Sequence, residues 1–299
     1  MKLYRWLSLL LVLAFLLASC TKPTPIPTEL PLAVTSTAEP TLAPPTPTQI
    51  PMAILVNGEG ISLADYEADL TRLQMALQEI GKSMTPEEQK ETVLTNYTDE
   101  LLLSQAAVQA GYAVSEADLQ ARIDKIIGEI GGAEKLAEWQ STYGYSDESF
   151  RAYLKRSLLA AWQRDTLTEA VPATADQVHA RQLIFQSEAE ATAAYTDLQA
   201  GTPFSDLSKE QDPILSGDLG WFPRGTLTQP VVEEAVFALQ PGQYTAVIKS
   251  DIGFHIVFLV ERDAQHPLSV EARRMLQEKA LADWLSQQKA VSDIQLLVP

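Results

Sequence analysis

The chain has 299 residues, of which 46% are hydrophobic and 20% are charged. This length exceeds what one hydrophobic core usually serves, and the composition excludes both a polytopic membrane protein and a wholly disordered one. The 39 acidic residues outnumber the 22 basic ones, and a net charge of -17 argues against nucleic-acid binding. One cysteine and three histidines cannot build a disulfide framework or a zinc cluster, so we expect no metal and no other cofactor.

A short apolar segment opens the chain. Lys2 and Arg5 precede an apolar run over residues 6–18, which is typical of a secretory signal and too short for a transmembrane helix of about 20 residues. The run ends in Leu-Ala-Ser-Cys, which resembles the lipobox of bacterial lipoproteins. This resemblance implies a signal peptide over residues 1–19 and a lipid on Cys20. The alternative, an incidental buried thiol, does not explain why the only cysteine stands at this position.

Residues 20–51 form a segment dominated by proline and threonine. Nine of the eighteen prolines and eight threonines lie between Thr21 and Pro51. Because proline fixes φ and removes a hydrogen-bond donor, we expect a disordered, extended spacer without a core. At about 3.1 Å per residue, this spacer would hold the folded part tens of Å above a membrane. A peptide ligand for an SH3-like partner is the alternative, which suits a chain outside the cytoplasm less well.

Residues 52–171 carry mainly helical signals after one short strand. The strand over residues 52–56 is predicted to end at the tight-turn dipeptide Asn57-Gly58. Serine or threonine caps, acidic residues three positions later and glycines after the last turn define the helix boundaries. Apolar residues at three to four residue spacing indicate an ordinary core. Helices are predicted over residues 63–80, from Thr85 to Gly111, from Ser115 to Gly131, over 134–140 and over 147–168.

Between residues 172 and 264 the pattern changes to strands interspersed with helices. A strand over 178–185 would place Gln182 on one face with Val178, Ala180 and Ile184. The whole segment is predicted to follow the order βααβαββ. Its remaining elements are helices from Ser187 to Gly201, after Thr202-Pro203 and over 231–239, the block around 217–222, and strands over 244–249 and 254–262.

Residues 265–299 are predicted to return the chain to the first unit. They contain a helix over 269–286 and an alternating tail over 294–298. The strand over 52–56 and this tail are each too short to be stable alone, so we predict that they pair. The segment over residues 172–264 is then an insert in the helical unit. The final helix is expected to pack three residues on the N-terminal helices: Leu276, Ala280 and Trp284.

Four blocks resemble the parvulin-type peptidyl-prolyl isomerase domain. They are Val-His-Ala-Arg-Gln-Leu-Ile-Phe at 178–185, Gly-Thr-Pro-Phe at 201–204, Gly-Asp-Leu-Gly-Trp-Phe and its extension at 217–225, and Ile-Gly-Phe-His-Ile-Val at 252–257. The block at 217–222, followed by Glu-Glu-Ala-Val-Phe-Ala-Leu, is specific to the family. The signal and the flanking helices are similar to the extracytoplasmic SurA/PrsA-like foldases. The resemblance implies an α+β fold, in which a mainly helical chaperone unit carries an inserted parvulin-like domain.

The same resemblance implies the site residues. His255 matches the second core histidine of the family, and Gln182 stands where the family has its first histidine. Either Glu210 or Asp212 is the counterpart of the family's active-site Cys or Asp, and we favour Asp212. Because glutamine can bond to His255 but cannot titrate, we expect reduced isomerase activity. The socket for the proline ring is implied at Phe222, Leu227 and Val231.

The implied reaction is rotation about an X-Pro bond, whose barrier is about 18–20 kcal/mol and which breaks no covalent bond. The sequence lacks phosphate-loop, zinc-protease and serine-hydrolase motifs. We therefore expect a foldase that is anchored to the extracytoplasmic face of the bacterial membrane and acts on unfolded or nascent exported polypeptides. A non-catalytic holdase that binds unfolded peptide is the main alternative, and a scaffold in an envelope assembly is the third.

Overall fold

The computed structural model describes residues 50–298. The predicted signal peptide, the predicted lipid-attachment residue Cys20 and nearly all of the predicted spacer lie outside the described residues. The described chain forms a helical region, residues 50–171 and 268–298, and a sheet region, residues 172–267. Within this described part, none of the helices has the length and hydrophobicity needed to cross a membrane.

The helical region opens with a β-hairpin and continues with helices. Asn57 and Gly58 form the hairpin turn with φ angles of +53° and +85°. The second strand was not predicted, because its four residues run directly into the Ser62 cap of the next helix. The elements are β1 (Met52–Val56), β2 (Glu59–Ser62), α1 (Leu63–Glu79), α2 (Pro86–Gln109), α3 (Glu116–Ile130), α4 (Ala133–Thr142) and α5 (Asp147–Glu169).

The helix boundaries follow from the predicted caps. At the start of α2, the Glu88 backbone N–H donates to Thr85 Oγ1 over 3.3 Å, and the Thr85 backbone N–H donates to the Glu88 carboxylate over 2.7 Å. Ser115 and Asp118 form the same reciprocal box at α3. Each box satisfies two backbone donors that the helix itself leaves without partners. The capping prediction is therefore confirmed at both helices.

The chain returns to the helical region through α9 (Val270–Val291) and β7 (Ile294–Leu296). β7 pairs antiparallel with β1 in a sheet of order β2-β1-β7, with Ile54 opposite Leu296. This pairing confirms the predicted discontinuous unit. Trp284 of α9 packs against the core that contains β1, as predicted. Leu276, in contrast, lies beside Gly225 of the sheet region, so α9 contacts both regions.

The sheet region has the predicted order βααβαββ. Its four strands are antiparallel in the order β4-β3-β6-β5. The last strand continues to Pro267, beyond its predicted end at residue 262 and the predicted segment boundary at residue 264. β5 is shorter than predicted, because Tyr244 forms only an isolated bridge with Phe258. The elements are β3 (Thr174–Phe185), α6 (Glu188–Gln199), α7 (Phe204–Gln211), β4 (Asp218–Pro223), α8 (Pro230–Phe237), β5 (Ile248–Ser250) and β6 (Gly253–Pro267).

The two faces of this sheet carry separate cores. Val178, Ala180 and Val257 lie in the core under α8, whereas Leu183 and Ile256 lie in the core under α6 and α7. Directly paired residues in antiparallel strands point to the same face. Because Gln182 pairs with Val257 and Ile184 pairs with His255, Gln182 and His255 both point to the α8 face. The predicted alternation in β3 is confirmed.

Candidate functional site

A buried histidine lies at the centre of the α8 face. His255 is only 1% exposed, and its Nδ1 lies 3.4 Å from Gln182 Oε1. The contact forms because β3 and β6 pair in a register that brings the two residues to neighbouring positions on one face. The structure therefore brings together two of the three predicted catalytic residues, and the predicted bond between them is present.

The second partner of His255 is Ser250, which sequence reasoning missed. Ser250 Oγ lies 2.7 Å from His255 Nε2 and accepts a hydrogen bond of 3.2 Å from the Ile252 backbone N–H. In the turn itself, Ile252 has an apolar side chain that cannot form a hydrogen bond. The hydroxyl comes instead from the last residue of β5, which the Ser250 to Gly253 pairing folds back onto β6. A serine that ends a strand just before the turn was the only available signal.

The three side chains form a neutral hydrogen-bonded row. Burial lowers the pKa of His255 below its ordinary value of 6.5, so the imidazole is neutral near pH 7. With Gln182 Oε1 as acceptor, His255 Nδ1–H donates, and Nε2 accepts from the Ser250 hydroxyl. This row fixes the ring orientation without introducing a charge.

Asp212, the third predicted catalytic residue, holds a loop. Its carboxylate accepts hydrogen bonds of 3.2, 3.1 and 3.0 Å from the backbone N–H groups of Ile214, Leu215 and Gly217. These bonds, with Gly217 first, lower the pKa of Asp212. The Gly217 carbonyl in turn accepts from the Gln182 backbone N–H over 2.8 Å. Asp212 thus reaches the site through Gly217, and no hydrogen bond among the described residues joins its side chain to His255.

Two of the three predicted socket residues pack in the core of the α8 face. Phe222 is 6% exposed there, and Leu227 is half-buried against the same cluster. Val231, in the first turn of α8, is 47% exposed, whereas the next residue, Val232, is buried. Val231 therefore lies at the surface of the fold, and its role as a wall of an open socket stays a prediction.

Glu233 positions the loop that carries Leu227, and sequence reasoning missed this role. Its carboxylate accepts hydrogen bonds of 2.8, 3.1 and 3.1 Å from the backbone N–H groups of Gly225, Thr226 and Leu227. Charge-assisted bonds of this kind are the stronger ones in proteins. The acid stands in the family-specific block that follows Phe222, but nothing local distinguishes it from its neighbour Glu234. Only the fold shows which of the two carboxylates turns inward.

Both regions of the chain are similar to known proteins. Residues 172–261 match the family model described as the PPIC-type PPIASE domain, and residues 48–154 match the SurA-like N-terminal domain. Foldase protein PrsA 2 of Bacillus cereus is 24% identical over 208 residues, which is 64% of this chain and 70% of that protein.

Two further relatives match shorter stretches. Periplasmic chaperone PpiD of Haemophilus influenzae is 37% identical over 123 residues, 38% of this chain and 20% of that protein. Chaperone SurA of Nitrosospira multiformis is 33% identical over 131 residues, 40% of this chain and 28% of that protein. The chain therefore spans less than a third of either of these two relatives.

Proposed function

We propose that this chain, which joins a SurA-like N-terminal domain to a PPIC-type parvulin domain, is an extracytoplasmic foldase that isomerises X-Pro bonds in exported polypeptides. The observation that carries the proposal is the neutral row of Gln182, His255 and Ser250 on the same sheet face as Phe222. A hydrogen-bonded row and an aromatic side chain on one sheet face are the two features that we expect of a site that catalyses rotation about a prolyl bond. The relatives named as foldases and chaperones support the same function.

The mechanism follows from the electronic structure of the amide. The planar amide owes its barrier to charge separation between nitrogen and oxygen, and this separation is lost when the bond twists. A water-poor socket beside Phe222 and Leu227 would disfavour the charge-separated planar form and hold the proline ring. The neutral row would keep His255 in one orientation as the polypeptide rotates. Binding that is stronger for the twisted amide than for the planar one lowers the barrier.

An exchange assay on one X-Pro peptide tests the catalytic function. Phe222→Leu should lower kcat/KM by about tenfold or more, because it removes an aromatic wall of the socket. The matched control is Phe204→Leu, since Phe204 is buried to a similar degree on the opposite face of the same sheet. Gln182→His should be neutral or mildly activating. Absence of acceleration by both the wild type and Gln182→His would reject catalysis.

Membrane attachment through a lipid on Cys20 is part of this proposal. It is supported by the apolar segment with a terminal cysteine in the sequence and by the extracytoplasmic relatives. Cys20→Ala should release the protein from membranes without unfolding it, because the spacer separates this position from the folded part. Fractionation decides the point. A variant that stays membrane-bound after high-salt washing would show that something other than the lipid, either the uncleaved apolar segment or another surface, holds the protein.

A non-catalytic holdase remains the second candidate, and one observation favours it. The helical region contains a cavity of about 740 Å³ that shares no lining residue with the row at His255. A chaperone that holds clients there would not need the isomerase site. In that case Phe222→Leu should leave the suppression of client aggregation unchanged, whereas substitutions of residues that line the cavity should abolish this suppression.

A further inference from the structure

One cavity among the described residues lies between α1, α2, α4 and α5. Its volume of about 740 Å³ falls within the range of about 300 to 1,000 Å³ that is usual for ligand sites. One side is lined by charged residues of α1 and α2, and the other by aromatic residues of α4, α5 and the loop between them. The core predicted from apolar spacing in these helices thus surrounds a polar and aromatic site.

The charged side of the cavity is electrically balanced. Asp69 accepts from Arg72 Nε over 2.6 Å and from the Tyr97 hydroxyl. Glu100 accepts from Arg156 Nε over 3.3 Å and from Ser157 Oγ over 3.0 Å. Burial raises the pKa of Asp69, and the guanidinium of Arg72 opposes that effect. Each acid is paired with an arginine, and Arg164, which also lines the cavity, is paired with Asp165 over 3.2 Å. A charged ligand group would therefore find no unpaired opposite charge among these residues.

The aromatic side is a continuous series of rings. Trp139 stacks on Tyr145 with ring centroids 5.6 Å apart and lies 4.9 Å from Tyr143. Tyr153 continues the series 5.6 Å from Tyr145. Arg72 joins the two sides, since its guanidinium lies 4.1 Å from the Tyr145 ring and donates to the Tyr143 carbonyl over 2.6 Å. The rings are therefore held in place before any ligand binds, which reduces the entropy cost of binding.

The hydroxyl group of Tyr145 remains a donor over the physiological pH range. Burial is the main reason that the pKa of Tyr145 is raised to about 12. Tyrosine hydroxyls and the tryptophan N–H group seek hydrogen-bond partners when a ligand covers them. The cavity is therefore lined by aromatic side chains that carry polar donors.

We propose that this cavity binds a neutral, proline-bearing stretch of client polypeptide in the polyproline II conformation, at a site separate from the isomerase socket. The proposal rests on the proposed function for the assumption that clients are exported polypeptides. A polyproline II segment has no internal hydrogen bonds, so its carbonyl oxygens are free to accept from tyrosine and tryptophan. Its proline rings pack against aromatic faces, as in other grooves that recognise such segments. Its lack of charge matches the charged side of the cavity, where Asp69 is paired with Arg72 and Glu100 with Arg156.

The binding partner in the test is a blocked polyproline peptide of about nine residues, which makes about three turns of that helix. NMR signals of the indole N–H groups in the full chain report where the peptide binds, because Trp139 lines the cavity and Trp221 lies in the sheet region. We expect the peptide to shift the Trp139 signal and leave Trp221 unchanged. A peptide of the same length with alanine at every second position should bind about tenfold more weakly or worse.

Variants then test the wall itself. Tyr153 is 38% exposed, so Tyr153→Ser should fold normally and weaken peptide binding by about tenfold, whereas Tyr153→Phe keeps the ring and should retain most of it. The matched control is Tyr195→Ser, because Tyr195 lies in the sheet region against Tyr244 and lines no part of the cavity. This control should bind the peptide as the wild type does.

The outcomes separate this inference from the proposed function. A response at Trp221 alone, equal binding of the alanine-containing peptide, or unchanged binding by Tyr153→Ser would each overturn the cavity assignment. If the exchange assay shows acceleration in a chain with no Trp139 response, only the cavity assignment fails. If Trp139 responds as expected in a chain without acceleration, the cavity assignment stands and the isomerase function fails.

Discussion

The two regions of this molecule hold their candidate sites by different means. In the sheet region, the backbone does most of the positioning, since β3 and β6 pair from Thr174 to Phe185 and the loop at Gly217 bonds directly to β3. In the helical region, the cavity is held by side chains, through the Asp69 and Arg72 pair and a series of aromatic rings. Where backbone segments contact each other closely, certain positions must be glycine, and such positions can be identified in the sequence. Where side chains hold a site, no comparable requirement can be read from the sequence.

Two glycines show this requirement. A Cβ on Gly217 would lie far inside contact distance of the Gln182 carbonyl oxygen, and one on Gly253 would lie 2.5 Å from the Phe185 carbonyl oxygen. Both residues have positive φ angles, of +65° and +140°. Both stand in the blocks that resemble the parvulin family. The family resemblance in the sheet region thus includes glycines that backbone contact requires.

The largest expected effect comes from Gly217→Ala. Strain at positive φ and the clash with β3 should together cost about 2 to 5 kcal/mol of unfolding free energy. Urea unfolding measures this cost. The control is Gly128→Ala in α3, where a new Cβ meets no atom within 4 Å and removal of a helical glycine should stabilise by up to about 1 kcal/mol. Similar stabilities for the two variants would contradict backbone positioning at the site.

A smaller effect is expected from deletion of residues 293–299. This removes β7 and the packing of Ile294 and Val298 on the core that contains β1. The loss should lower the unfolding free energy of the helical region by about 3 kcal/mol. Amide hydrogen exchange should accelerate in β1 and remain slow in β3 and β6. As a control, Leu297→Ser changes a residue that is 50% exposed and should leave exchange in β1 unchanged. Equal acceleration in both regions would mean that the insert depends on the tail.

Glu233→Gln sharpens the comparison by weakening one place where a side chain positions a loop of the sheet-region site. Glutamine has one acceptor oxygen where glutamate has two, so at least one of the three hydrogen bonds is lost and the others lose their charge. This should cost about 1 to 3 kcal/mol and raise KM in the exchange assay, because the loop of Leu227 loosens. Glu234→Gln alters the exposed neighbouring carboxylate and serves as the control. Matching KM values for the two variants would show that the loop does not need this anchor.

The smallest expected effect is a pH dependence from His255. Its pKa is lowered in the folded protein, so the unfolded chain binds more protons over the interval below 6.5. Unfolding free energy should therefore fall as the pH drops below about 6.5, and this decline should end below the folded pKa. His255→Gln should remove this part of the slope in urea unfolding, whereas His266→Gln should keep it. An unchanged slope in His255→Gln would show that burial does not disfavour the charged ring.

Local signals explain how much of the fold was predictable. Caps at Thr85 and Ser115 and the change of periodicity after residue 171 predicted the helices, the order of the elements and the start of the sheet region. The contact between Gln182 and His255 was expected from the family resemblance, and alternation correctly placed Gln182 on one face with Val178 and Ala180. β2 was missed because a strand of four residues has too little pattern to distinguish it from a cap.

The sequence by itself determined the order of the elements, the two kinds of region and the pair at the centre of the candidate site. Caps, turn glycines and alternation act within a few residues, so they can be identified without a structure. Only the tertiary structure decided that Ser250 is the second partner of His255, that Glu233 and not Glu234 turns inward, and that Arg72 reaches Tyr143, which lies 71 residues away. These contacts depend on how distant elements pack, and the local pattern of neither partner records the position of the other.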